Sequence, residues 1–128
     1  MATYILEENH EEFNFIDSFR FKVIALDESN VIIDCLSIFS SKVQCNSNSI
    51  RISMILRDIP NIIEDTIEEA KKLRTITIES RNSNESVLSS VSYNIKTMTD
   101  WSFKQISDSN DFLLLEVTYL GIPKFNRI

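Results

Sequence analysis

The stretch Phe112-Leu113-Leu114-Leu115-Glu116-Val117-Thr118-Tyr119 decides the fold. Leu113, Leu115, Val117 and Tyr119 fall at every second position, while Glu116 and Thr118 punctuate the other set. A period of two is that of a strand, whose successive side chains point to opposite faces. One face of this strand is therefore set for burial. Just upstream, Asp108-Ser109-Asn110-Asp111 has the composition of a hairpin turn, and Trp101 to Ile106 reads as a short strand before it.

Working outward, Thr75–Glu79 and Val87–Ile95 read as two more strands, joined by the turn-rich Arg81-Asn82-Ser83-Asn84-Glu85. Near the N-terminus Phe19, Phe21, Val23 and Ala25 alternate with Arg20 and Lys22. Asp27-Glu28-Ser29-Asn30 supplies turn chemistry, and Val31–Phe39 is expected to return as the second strand of a hairpin. Ser40–Ser49 is polar and reads as a loop or a mobile hairpin tip; Ile50, Ile52, Met54 and Leu56 then alternate with Arg51, Ser53 and Arg57 as a third strand.

One segment has a helical period. Ile62, Ile63, Ile67, Ala70 and Leu73 form an apolar stripe. Asp58 is expected as its cap and Pro60 in its first turn, where a missing N–H costs nothing. Glu64, Asp65, Glu68 and Glu69 come early and Lys71, Lys72 and Arg74 late, the order a helix dipole favours. Glu68 and Lys72 stand one turn apart. The expected fold is mainly β, a sandwich or barrel with one α-helix packed on the outside. Residues 1–18 read as an N-terminal arm, 19–121 as a single β domain and 122–128 as a C-terminal tail. In the arm, Tyr4, Ile5, Leu6, Phe13, Phe15 and Ile16 are apolar among acids, which suits either a tail with a few anchors or docking on a neighbouring subunit.

The 128 residues carry 43% hydrophobic and 25% charged residues, enough to bury a real core. A net charge of −6 and the lack of clustered Lys and Arg exclude a basic groove for nucleic acid. No cationic leader with an apolar core begins the chain, and no run approaches the ~20 apolar residues of a membrane span, so no membrane anchor is expected. Cys35 and Cys45 are the only cysteines and are expected reduced in an intracellular chain.

Candidates for chemistry are thin. His10 lies among Glu8, Glu11 and Glu12, but a single imidazole on an arm is a poor metal scaffold. Asp108–Asp111 lacks the glycine and distal glutamate of a calcium loop. Glu64 and Glu68 have nothing beside them in sequence to raise a carboxyl pKa for acid–base work. No serine sits in a nucleophile elbow. Neither catalysis nor a cofactor or metal is expected. Trp101, the single tryptophan, is expected as a core anchor between sheet and helix, with an interface anchor as the alternative.

Ile95-Lys96 leading to Trp101, then Asp108-Ser109-Asn110, then Glu116-Val117-Thr118 resemble the tail tube proteins of contractile-tailed bacteriophages, the tail tube or type VI secretion tube-like fold. The order of elements upstream fits the same family, over about residues 15–121. The chain departs from it in the short Phe39–Ser49 stretch and in Thr97–Asp100, where the family often has glycine and proline. The resemblance implies a structural virion protein whose hexameric rings stack into a DNA-conducting tube, with DNA passing through without specific binding. It implies tail sheath and baseplate proteins as partners, and a place in the virion tail after assembly in the host cytoplasm. By the same analogy Ile5, Leu6, Phe13, Phe15 and Val43 make inter-ring contacts, and Glu64, Glu68, Lys71 and Lys72 face the sheath. A baseplate, tube-cap or tail-terminator protein of the same fold, or a monomeric β-barrel protein-binding module, remains open.

Overall fold

The computed structural model describes residues 3–8, 11–15, 21–38, 40–81, 84, 86–106 and 111–127. The elements are β1 (Thr3–Glu8), β2 (Glu11–Phe15), β3 (Phe21–Leu26), α1 (Asp34–Ile38), β4 (Ser40–Cys45), β5 (Ser49–Arg57), α2 (Ile62–Ala70), β6 (Thr75–Arg81), β7 (Val87–Gln105) and β8 (Phe112–Arg127). The strands form one sheet in the order β2-β1-β4-β5-β8-β7-β6-β3. Its ladders are antiparallel apart from β1 with β4. A mainly β architecture with a helix packed on the sheet matches the expectation from sequence.

The long strands β7 and β8 join two half-sheets. Phe112–Leu120 of β8 pairs with β5, and Gly121–Arg127 then passes the end of β5 to run beside Ser89–Ile95 of β7. In turn, Val87–Asn94 of β7 pairs with β6, whereas Thr97–Gln105 pairs with β8. Register shifts between Ile95 and Thr97 and between Met98 and Asp100 mark irregularities in β7, the devices that bend and twist a strand. Gly121 sits at the bend of β8. Its N–H donates to the Asn48 carbonyl at 2.9 Å, and a Cβ there would lie 2.9 Å from the Asn94 carbonyl oxygen. Only a residue without a side chain fits that approach.

Alternation fills the core. Ile50, Ile52 and Met54 of β5, Leu115 and Val117 of β8 and Val91 of β7 are fully buried. They cluster with Ile63, Ile67 and Ala70 of α2 and with Leu36 of α1, each such side chain contributing about 1.5–3 kcal/mol by leaving water. Tyr119 ties sheet to helix, its hydroxyl donating to the Ala70 carbonyl at 2.7 Å.

Several local expectations are corrected. Over its described residues, 31–38, the segment Val31–Phe39 is not a strand. Asp27 Oδ1 accepts from the N–H groups of Ser29 (2.8 Å) and Val31 (2.9 Å), and Asn30 takes φ 62°. After one bridge from Ile32 to Leu26 the chain coils into α1 with Ile33 and Leu36 buried. That i, i+3 spacing is helical, and a short apolar run does not separate the two states. The partner of β3 is β6, over Phe21–Leu26 and Thr75–Ser80. Ser40–Ser49 holds β4 and its hairpin connection to β5, with Val43 and Cys45 buried in alternation with Lys42 and Gln44. Trp101 does not begin a new strand, since β7 runs unbroken through Gln105. Asn61, not Asp58, caps α2, in a left-handed conformation (φ 65°) with no side-chain cap bond. Residues read as an arm include the β1–β2 hairpin, and those read as a tail carry β8 on to Arg127.

Candidate functional site

Strand β7 outgrows its cover. Among the described residues, the ladder of Thr97–Gln105 goes to β8 alone, so its second edge is bare. Lys96, Thr97 and Thr99–Gln105 are also exposed. Trp101 and Phe103, two apart and hence on one face, stack with ring centroids 6.3 Å apart at 13°. Trp101 is 43% and Phe103 53% exposed. Their register partners are Val117 and Leu115, both in the core, so the pair continues the core face of the sheet one strand beyond what covers it. Trp101 is therefore not a core anchor: it sits on the core side of the sheet, but past the reach of α2.

Between that aromatic pair and α2 lies an open groove of about 860 Å³, lined by Ile59, Ile62, Leu113, Trp101 and Phe103 with Asp58, Glu64, Glu68 and Lys71 at its polar parts. The other face of the sheet is polar around Arg51 and Glu116, with Ile55, Leu120 and Ile122 exposed elsewhere on it. There Arg51, Asp100, Ser102, Glu116 and Thr118 line a pocket of about 140 Å³, and Ser53 Oγ donates to Glu116 Oε2 at 3.4 Å.

The residues singled out from sequence scatter. Glu64 and Glu68 are exposed on α2, whereas Lys71 and Lys72 are exposed at and beyond its C-cap, with Lys72 Nζ bonded to Glu69 Oε1 at 3.1 Å rather than to Glu68. Ile5, Leu6, Phe13 and Phe15 lie in the β1–β2 hairpin at one end of the sheet. Val43 makes no surface contact; it is fully buried opposite Ile52, because its turn-like surroundings hid a core strand. His10 and the Asp108–Asn110 part of the expected turn lie outside the described residues. Phe103 was missed. Its alternation with Trp101 is legible, but its exposure depends on how far α2 reaches over the sheet, which is a long-range fact.

Cys35 and Cys45 are not joined by a disulfide. Burial, with the charge of Glu69 next, pushes the Cys35 thiol up to about 11. Burial also raises Tyr119 well above the ordinary tyrosine range, with Cys35 adding to it. Both groups are held neutral, the reverse of what a nucleophilic thiolate requires. Among the described residues no group of three or more His, Cys, Asp and Glu residues is placed to hold a metal, and no helix is long and apolar enough to cross a membrane.

No family model matches the sequence, and no curated protein sequence matches it. Solved structures do. The chain is similar to one from the sheath-tube complex of PVC, an extracellular contractile injection system, in its extended state (TM-score 0.54, 17% identity, 89% of this chain and 93% of that one). It is similar to an Hcp protein (TM-score 0.53, 8% identity, 84% of this chain and 98% of that one). A third similarity is to a chain of the anti-feeding prophage cap, the AFP tube terminating cap (TM-score 0.50, 14% identity, 89% of this chain and 92% of that one). The fold is that of contractile-tail tube proteins.

Proposed function

We propose that this chain is a non-enzymatic structural subunit of a contractile tail or injection device. Its copies associate head to tail into hexameric rings that stack as a tube. The observation that carries this reading is Thr97–Gln105, a strand bare along one edge and bearing an exposed Trp101–Phe103 stack. An open edge of this kind invites another strand, and ring closure removes it. The likeness in fold to chains of a sheath-tube complex and a tube terminating cap supports the same conclusion. In such a ring the polar face with Arg51, Glu116 and Thr118 lines the lumen, and α2 lies outside with Glu64, Glu68, Lys71 and Lys72 toward the sheath. A net charge of −6 keeps phosphate from adhering to the wall, so DNA passes without specific binding. The same features serve a cap, terminator or baseplate protein of a virion tail, a second reading that the likeness to the prophage cap favours. Negative-stain images of concentrated protein test the proposal. Rings with a central hole, single or stacked, are expected; isolated particles at every concentration would instead mark a monomeric binding module.

A further inference from the structure

The chain carries a net charge of −6, yet three of its cations meet at one place. Lys71 at the C-cap of α2, Arg74 just beyond it and Lys96 of β7 line an open hollow of about 490 Å³, with Thr97, Asp100 and Trp101 on its other walls. We infer that this hollow, with the apolar groove beside it, docks a partner's peptide segment that sets acidic side chains next to an apolar one. The site exists in a single chain, so it stands whether or not copies close into a ring.

The backbone builds the cluster. Lys71 N–H donates to the Ile67 carbonyl at 2.9 Å, and the buried Leu73 pins the turn beyond the helix. Arg74 N–H donates to the Leu26 carbonyl at 2.9 Å, and the Arg74 carbonyl accepts from Ile95 N–H at 2.8 Å, so Arg74 is fixed beside the residue before Lys96. Lys96 has no register partner on β8 and is the extra residue of the first irregularity in β7, as Thr99 is of the second. A bulge of this kind re-aims a side chain, and Lys96 reaches the hollow that Lys71 and Arg74 line. Helix polarity accounts for cations at Lys71 and Lys72, but not for Lys96, which comes from a strand. All three cations are exposed, and among the described residues none of them is ion-paired.

The surroundings select the occupant. Three cations against the single carboxylate of Asp100, which already accepts from Trp101 N–H at 2.8 Å, favour an anion between them. Lys71 and Trp101 also line the groove that holds Ile59, Phe103 and Leu113, so the cationic hollow runs on into an apolar surface. Tryptophan and arginine are the side chains that most often anchor an interface. On the far side Asp27, Glu28 and Glu68 border the next hollow together with Lys71 and Arg74. A phosphate backbone needs an extended run of cations and meets those acids instead. A short segment with carboxylates over Lys71 and Lys96 and an apolar side chain over Trp101 satisfies both parts of the site.

Trp101 is the chain's single tryptophan, so its fluorescence reports occupancy. Because Thr97 and Trp101 also belong to the bare edge of β7, binding is measured on the full chain at concentrations where light scattering shows single chains. The probe is an acetylated peptide of consecutive glutamates followed by leucines. It should shift the Trp101 emission, and the same peptide with glutamine for glutamate should not. Lys71→Glu with Lys96→Glu should weaken binding about tenfold or more, with unchanged circular dichroism. Lys42→Glu with Lys124→Glu, which makes the same change in net charge at exposed positions outside the hollow, should leave it within about twofold. A peptide that does not bind, a glutamine peptide that binds as tightly, or a control pair that weakens binding equally would overturn the site. A thymidine oligonucleotide that binds through Lys71 and Lys96 in the peptide's place would overturn the acidic segment as its occupant. All four results leave the ring reading untouched.

Discussion

Gly121→Ala tests the bend that lets β8 serve both half-sheets. A methyl group at this position would lie 2.9 Å from the Asn94 carbonyl oxygen, 3.1 Å from Ile95 Cδ1 and 3.4 Å from Tyr93 Cδ2. The isoleucine tip can turn away, but the carbonyl belongs to the neighbouring strand and moves only with its ladder. Gly121 is held from the other side as well, by its bond to the Asn48 carbonyl. Overpacking of this kind costs about 1–3 kcal/mol. Loss of glycine's freedom in the unfolded chain gives back about 0.4–1 kcal/mol. The net expectation is a destabilisation of about 1–2 kcal/mol. For 128 residues, an unfolding entropy of about 2.1 cal/mol/K per residue converts this to a fall in Tm of about 4–7 °C. Differential scanning calorimetry reads it directly, and urea melts should show a lower midpoint at unchanged slope. Ile122→Ala, next in the chain but 59% exposed, is the control and should stay within about 0.5 kcal/mol. A Gly121→Ala protein as stable as the original would refute the close approach of β7 and β8.

Truncating Ile52 or Leu115 to alanine, both fully buried on adjacent strands of the sheet, should cost about 2–5 kcal/mol each in urea unfolding. Trp101→Ala should change the stability of the unassembled chain by only about 0.5 kcal/mol, and acrylamide should quench Trp101 readily until assembly covers it; a shielded indole in the monomer would restore the core-anchor reading. Because Cys35 rises from an ordinary 9.0 to about 11, the folded chain holds that proton more tightly than the unfolded one. The stability it adds is whole below pH 9.0 and is lost as pH climbs through 11, with Tyr119 acting in the same direction above 10.0; Cys35→Ala should flatten part of that decline in Tm. Native Cys35 should also alkylate more slowly at pH 8 than the same thiol in urea.

Much of the fold was legible because period two and period 3.6 are local signals. The alternations at Ile50–Leu56 and Leu113–Tyr119 and the stripe from Ile62 to Ala70 became β5, β8 and α2. The failures share a cause: each depended on a partner distant in sequence. Val31–Phe39 follows a good turn, so a hairpin was the local choice, yet β3 finds β6 some fifty residues on. Val43 alternates with polar neighbours, and only the ladder to β5 reveals it as core. The same limit governs the assembly surface. Trp101 lies on the face a core residue would occupy, and nothing within reach along the chain says that α2 stops short of covering it. The resemblance to tube proteins, carried by short motifs around Trp101 and Glu116, anticipated the fold more fully than composition did.

On the proposed function, the chain joins copies of itself through the edges of its sheet. Light scattering on a size-exclusion column across a series of protein concentrations measures this association. A particle of six chains, or multiples of six as rings stack, growing in proportion with concentration, is expected. A single chain's mass at every concentration would contradict it.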